Sequence, residues 1–300
     1  MRHKLKKPVL VSEIVRALGS DVLSQVGPDR EVVGVSPFPN SDPGSLAFCN
    51  QKGWPDLECH AACLIVSGVE IGDNTYPTKI VVANPRLSFA RAVAFLFKEE
   101  VRSGIHPTAL VDQTSIVDPK AEIGAGVVIG PRCHVGEGTA LGAGVRLVCD
   151  VRIGANTKVA ANTVIGEEGF GFERDDDGRL VNMPHLGGVI IGDNVDIGAN
   201  ACIDRGTLHD TVVADGCRID NLTHISHNVR MDRHAVVISN VTICGSVHLG
   251  ERSWVAPNAV VKNQLKIGKD AVVGLGAVVV RDVADGETVA GNPAKPIRKQ

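Results

Sequence analysis

A branched aliphatic residue returns at every sixth position through most of the chain. The series starts at Ile105 and runs through Val111, Val117, Ile123, Ile129, Val135, Leu141, Leu147, Ile153, Val159 and Ile165. It breaks, resumes at Ile191, Ile197 and Ile203, breaks again, and then holds from Val213 to Val279. Glycine or another small residue often follows the anchor, as in IGAGVV, VGEGTA and IGKDAV, and a small or β-branched residue often sits four positions after it. A period of six matches neither the 3.6 of an amphipathic helix nor the 2 of a half-buried strand. It predicts a short strand and a turn, repeated, with the anchor and the fourth-following residue facing inward while Gly or Asn absorbs the turn. Three hexads then close a triangular coil, and stacked coils share their backbone hydrogen bonds and apolar interior. The expected fold is mainly β: a parallel β-helix over 105–281, interrupted by an insertion at 166–190 and followed by a tail at 282–300.

Residues 1–104 carry a different pattern. Ser12 ahead of EIVRAL, with Gly19 after it, predicts a short capped helix. ACLIVS (62–67) and KIVVA (79–83) read as strands. Asn84 and Pro85 form an N-cap and first-turn pair for the helix of RLSFARAVAFLFKEE. A small α/β domain follows. Composition supports the division, because aromatics make up only 3% of the chain, and Phe38, Phe48, Trp54, Tyr76, Phe89, Phe95 and Phe97 all precede residue 105. The repeat holds Phe170, Phe172 and Trp254, so its interior must be aliphatic.

A formal charge of −3 gives no general attraction to nucleic acid. No apolar run reaches the roughly 18 residues of a membrane helix. The basic start, MRHKLKKPVLVSEIVRALGS, is broken by Ser12, Glu13 and Arg16 and does not read as a signal peptide. Eight cysteines without a CxxC pair make no disulfide framework. Cys59, His60 and Cys63 lack a second ligand pair, so free thiols in a reducing cytoplasm are expected, with no metal bound.

Chemistry concentrates around the two breaks. The first, GEEGFGFERDDDGRLVNMPHLGGVI, has two readings: a solvated loop, or a flap on which Phe170 and Phe172 cover a pocket. The second, DRGTLHDTV, reads as a corner extrusion. His106, His134, His209, His234 and His248 read as solvated outward residues. In DNLTHISHNV, His224 and His227 lie close together, and His227 falls two residues after its anchor, where a side chain leaves the prism. One coil later Gly245 in ICGS occupies the same place. A general base beside an unobstructed backbone N–H suits acyl transfer to an amine. Two other classes remain open: a metal hydrase using His224 and His227, which lacks a third histidine, and a scaffold without catalysis.

The hexad pattern resembles the hexapeptide-repeat acyltransferases, which implies a left-handed β-helix and three chains packed side by side with active sites between them. The order GFGF, MPHLGG, VIIGDNVDIGA, CIDRG and DNLTHISHNV resembles the UDP-3-O-acylglucosamine N-acyltransferases of lipid A biosynthesis. That likeness implies a 3-hydroxyacyl transfer from acyl carrier protein to the amine of a UDP-linked sugar, with no bound cofactor. It makes His227 the base and Gly245 the oxyanion donor, with His224 a third catalytic residue. It places Phe170, Phe172 and Asn221 at the substrate. SLAFCNQKGW matches the family's nucleotide-contacting stretch, so Phe48, Asn50 and Trp54 contact the base or serve as core and turn residues. The family's second active-site histidine is replaced by Gln264, a neutral amide that can still bind the substrate by a hydrogen bond to a phosphate or hydroxyl but cannot carry charge. The ending, with GNPAK, is similar to acetyl-CoA-dependent sugar acetyltransferases; there Gly276, Lys295 and Arg298 meet the donor, or the two cations merely solubilise the tail. The donor is thus acyl carrier protein or coenzyme A, the latter implying a short-chain N-acyltransferase for an O-antigen sugar.

Overall fold

The computed structural model describes residues 3–50, 59–67, 77–98 and 103–297, in two compact units, Met1–Glu100 and Val101–Gln300. Trp54 and Arg298 lie outside the described residues. The first unit is a mixed sheet of β1 (His3–Leu10), β2 (Val22–Val26), β3 (Glu31–Val35), β4 (Ser45–Cys49), β5 (Cys63–Val66) and β6 (Thr78–Val82), in the order β1-β3-β4-β5-β6-β2. Strands β3 to β6 run parallel, and the two outer pairings are antiparallel. Every residue of β5 and β6 is buried, as in parallel strands covered on both sides. The core gathers Ile14, Leu46, Ile65 and Ile80.

Helix α1 (Val11–Leu18) starts two residues earlier than expected. Ser12 is not its cap. Glu13 Oε1 accepts the Leu10 N–H at 3.2 Å, and the Ser12 N–H is taken by Asp29 Oδ1 at 2.9 Å. Helix α2 (Pro85–Leu96) is capped as the Asn-Pro pair predicts, Asn84 Oδ1 accepting the Leu87 N–H at 3.2 Å.

The second unit is a parallel β-helix with three faces. The first face carries the strands ending at Ile105, Ile123, Leu141, Val159, Ile197, Ile219, Val237, Val255 and Val273; the second and third carry the intervening anchors in turn. Each coil lies in register on the next, Ile123 on Leu141 and Ile225 on Ile243. All anchors from Ile123 to Val279 are buried, and so are fourth-following residues such as Val127, Cys133, Val229 and Val247. Threonine is tolerated there because its hydroxyl donates to a carbonyl of the next coil, Thr163 to Gly198 O at 2.6 Å. The corner falls three residues after the anchor, in the left-handed region: Asn156 has φ 53° and Gly126 φ 66°. Glycines directly after the anchor serve a different end, coil spacing. A Cβ at Gly130 would lie 1.8 Å from the carbonyl oxygen of Val148.

Residues beyond 281 stay on this framework. Val283 and Val289 are buried in the same core, Thr288–Ala290 pairs with Val272–Val273, and Lys295–Pro296 turns back antiparallel on it. Truncating an anchor tests the packing. Ile225→Ala is expected to lower unfolding free energy by about 2–5 kcal/mol in urea melts, the range for a fully buried aliphatic.

Both interruptions leave the prism along one edge. The insertion separates Val164–Glu167 on the second face from Val189–Ile191 on the third. The extrusion separates Cys202–Asp204 on the second from Thr211–Val213 on the third. The following coils bring His227, Gly245 and Gln264 to that same edge.

Candidate active site

His227 and Gly245 stack as the eighteen-residue coil requires. The Ser246 N–H donates to His227 O at 3.0 Å, and the Gln264 N–H to Gly245 O at 2.9 Å. A Cβ placed on Gly245 would come within 2.6 Å of His227 Cε1 and 2.7 Å of Nε2. The imidazole therefore lies over a bare backbone. The Cys244 N–H is spent on Val261 O and the Ser246 N–H on His227 O, whereas the Gly245 N–H has no hydrogen-bond partner among the described residues. An unspent donor beside a histidine ring is the geometry an oxyanion needs.

The second interruption sets the ring's tautomer. Asn228 Nδ2 donates to His209 O at 3.1 Å, so Oδ1 is the acceptor that meets the Thr207 N–H at 3.2 Å and also takes the Thr207 hydroxyl. That oxygen lies 3.0 Å from His227 Nδ1, which must donate to it. In neutral His227 the lone pair consequently sits on Nε2, the nitrogen over Gly245. His209 acts through its carbonyl while its side chain stays exposed.

His224 belongs to a neighbouring group on the second face. Its Nε2 lies 2.9 Å from Asp204 Oδ2, and Cys202 Sγ donates to Asp204 Oδ1 at 3.5 Å. The Asp204 hydrogen bond holds the His224 proton above the usual imidazole range. Burial, reinforced by Asp204, pushes the Cys202 thiol up to about 12. Cys202, Asp204 and His224 have the donor types of a cation site, yet each is spent on another member of the trio. His224 and His227 turn to different partners and form no ligand pair, so the histidine-based metal reading loses its basis. A raised folded pKa means that the His224–Asp204 pair stabilises fully below the unfolded histidine value, about 6.5, and fades as pH rises through the folded one. Asp204→Asn is thus expected to destabilise the protein most near pH 5, with the deficit shrinking toward pH 9, as read by thermal melts across pH.

Other expected site residues are dispersed. Phe172–Arg174 and Leu180–Asn182 pair as a hairpin inside the insertion, and Phe170 stands 88% exposed with its ring edge-on to Phe172, 5.3 Å between centroids. Phe172 is exposed as well, 40% of its surface open. Gln264 is exposed at the corner one coil past Gly245. Asn221 and Gly276 lie between the first and second faces, because their anchors, Ile219 and Val273, belong to the first. Asn221 Oδ1 accepts the Ala199 N–H at 2.7 Å, a rung between coils. Lys295 is exposed and lines a cavity of about 290 Å³ with Arg281 and Glu287 at the C-terminal end. Phe48 is half-buried against Phe89, 4.7 Å between ring centroids, and Asn50 is exposed at the end of β4. His248, expected to be solvated, is half-buried and bonded to Asp232 at 2.7 Å.

Sequence reasoning missed His185. It lies in MPHLGG, where the insertion rejoins the prism, and its ring faces that of His227 at 5.1 Å between centroids, with 68° between the planes. It missed Asn228 and Thr207 too. The signal was available in the repeat itself: numbering the anchors in threes puts both breaks and His227 on one edge.

Comparison with known proteins agrees with this architecture. A family model described as bacterial transferase hexapeptide (six repeats) matches residues 132–167. A UDP-3-O-acylglucosamine N-acyltransferase of Delftia acidovorans is 42% identical over 293 residues, covering 94% of this chain and 86% of the relative. One from Albidiferax ferrireducens is 45% identical over 285 residues, covering 92% and 84%. Among solved structures, LpxA from Acinetobacter baumannii superposes with a TM-score of 0.59 at 26% identity, covering 64% of this chain and 73% of that one. The UDP-N-acetylglucosamine acyltransferase of Campylobacter jejuni, at 22% identity and a TM-score of 0.58, shares the fold, covering 65% of this chain and 74% of its own. The solenoid is of this left-handed kind. Identity of 42–45% over more than nine-tenths of the chain places it in the UDP-3-O-acylglucosamine N-acyltransferase family.

Proposed function

We propose that this enzyme transfers a 3-hydroxyacyl group from acyl carrier protein to the 2-amine of a UDP-3-O-acylglucosamine, a step of lipid A biosynthesis. The observation that carries this reading is the unspent Gly245 N–H beside His227 Nε2. The neutral amine attacks the thioester carbonyl carbon, forming the C–N bond, and Nε2 takes the proton the nitrogen sheds. The carbonyl oxygen becomes an oxyanion at the Gly245 amide. Collapse breaks the C–S bond, and the leaving thiolate recovers the proton from the His227 imidazolium. No covalent enzyme intermediate is needed.

The chain works as a homotrimer in the cytoplasm, a neighbouring prism closing the site. That arrangement accounts for expected contacts such as Asn221 and Gly276 lying on another edge of the same chain. Among the described residues no helix is long and apolar enough to cross a membrane. The N-terminal unit holds the uracil moiety near Phe48 and Asn50. Coenzyme A is the second donor to consider, on the exposed Lys295 beside Arg281. Mass spectrometry of products from a matrix of acyl carrier protein and coenzyme A thioesters against UDP-amino sugars tests the proposal. A 3-hydroxyacyl amide formed from the carrier protein is expected. Product from coenzyme A alone would move the enzyme to the short-chain class, and no amide with any pair would defeat the proposal.

A further inference from the structure

The insertion reaches the base through a histidine, while its phenylalanines stay outside. We infer that His185 is a positioning residue for His227, an inference that rests on the acyltransfer reading. The His185 side chain is only 1% exposed, and neither ring nitrogen makes a hydrogen bond. A buried imidazole without partners costs stability, and no packing need in the prism interior explains it, since the residue stands outside the coils. What it touches does explain it. Its ring meets that of His227, while Asn228 holds Nδ1 of that ring and Gly245 lies beneath it. The three contacts leave the base one rotamer, with Nε2 over Gly245.

Both ends of the insertion are shaped to this contact. Glu168 Oε1 accepts the His185 backbone N–H at 3.2 Å and lies 4.0 Å from Nδ1 of the same residue. A Cβ on Gly169 would lie 2.6 Å from His185 Nε2 and 2.9 Å from His227 Cβ; one on Gly171 would lie 3.3 Å from His185 Cε1. Neither glycine has a positive φ, so space and not backbone conformation calls for them. The two ends of the insertion thus close as a bracket around two imidazoles.

The test compares full-length His185→Ala and His185→Gln with the parent, in steady-state kinetics and in ¹⁵N NMR of the histidine rings. Alanine opens the space and is expected to lower kcat about 10- to 100-fold while leaving KM for both substrates within about twofold. Glutamine refills it and is expected to restore kcat to within about fivefold. In the NMR spectrum the parent and the glutamine variant show His227 as a single Nδ1–H tautomer, and in the alanine variant the ring swings off Asn228 into the vacated space and shows tautomers averaged. An alanine variant with unchanged kcat and an unchanged His227 signal overturns the inference. So does a glutamine variant as impaired as alanine. If alanine does not fold, the glutamine variant decides alone: a kcat within fivefold of the parent with the single tautomer kept supports the inference, and a larger loss or an averaged ring overturns it. The NMR arm needs no substrate, so it still reads out if the assigned substrates prove wrong.

Discussion

His227→Ala is expected to lower kcat by about 10²–10⁴-fold, the range of a single general base, equal to about 3–5 kcal/mol of barrier. The loss should fall on kcat with KM little changed, because the imidazole handles a proton that moves during the reaction. Stability should hold. His227 lies on the outer edge of the prism, and its coil is fixed by the anchor Ile225 and by the backbone bond from Ser246 to His227 O, neither of which needs the side chain. A thermal melt beside the kinetics separates the two effects. An unaffected rate would remove His227 from the mechanism while leaving the fold assignment standing.

Gly245→Ala should be nearly as damaging, by about 10²–10³-fold in kcat, through a different route. The backbone at 245 is not in the left-handed region, so alanine is conformationally allowed there. The added methyl, however, would stand 2.6 Å from His227 Cε1, closer than carbon atoms approach without something moving. Either the ring leaves its place or the methyl covers the amide. Each outcome parts the base from the oxyanion donor. The same change at Gly126, whose corner opens onto free space, touches no other group within 4 Å and strains only its own φ of 66°. Comparing the two variants separates a catalytic clash from a corner effect. Gly126→Ala should cost some stability and leave kcat close to the parent's.

The solenoid was legible in the sequence because each hexad solves the same local problem. An aliphatic anchor, a small inward partner and a corner residue that accepts positive φ are each readable from residue type. His227 and Gly245 were legible for the same reason, since eighteen residues separate stacked positions on any edge. Departures from the repeat were harder. Inside 166–190 the chain obeys no period, so nothing in the pattern showed that exposed Phe170 would face solvent and His185 would face the base. The role of Asn228 rested on hydrogen bonds to Thr207 and His209, residues of an extrusion whose path no propensity describes. Asn221 and Gly276 lie a third of a turn from His227 on the same chain. Six residues carry the chain to the next face, so the repeat alone does not say which contacts a second chain would supply.

A crystal structure of the enzyme with its UDP-amino sugar acceptor bound tests the central claim most directly. The account predicts the 2-amine within about 3 Å of His227 Nε2, with the Gly245 N–H facing the place where the acyl oxygen will stand. An acceptor seated on another edge of the prism, with its amine beyond reach of that nitrogen, would contradict it.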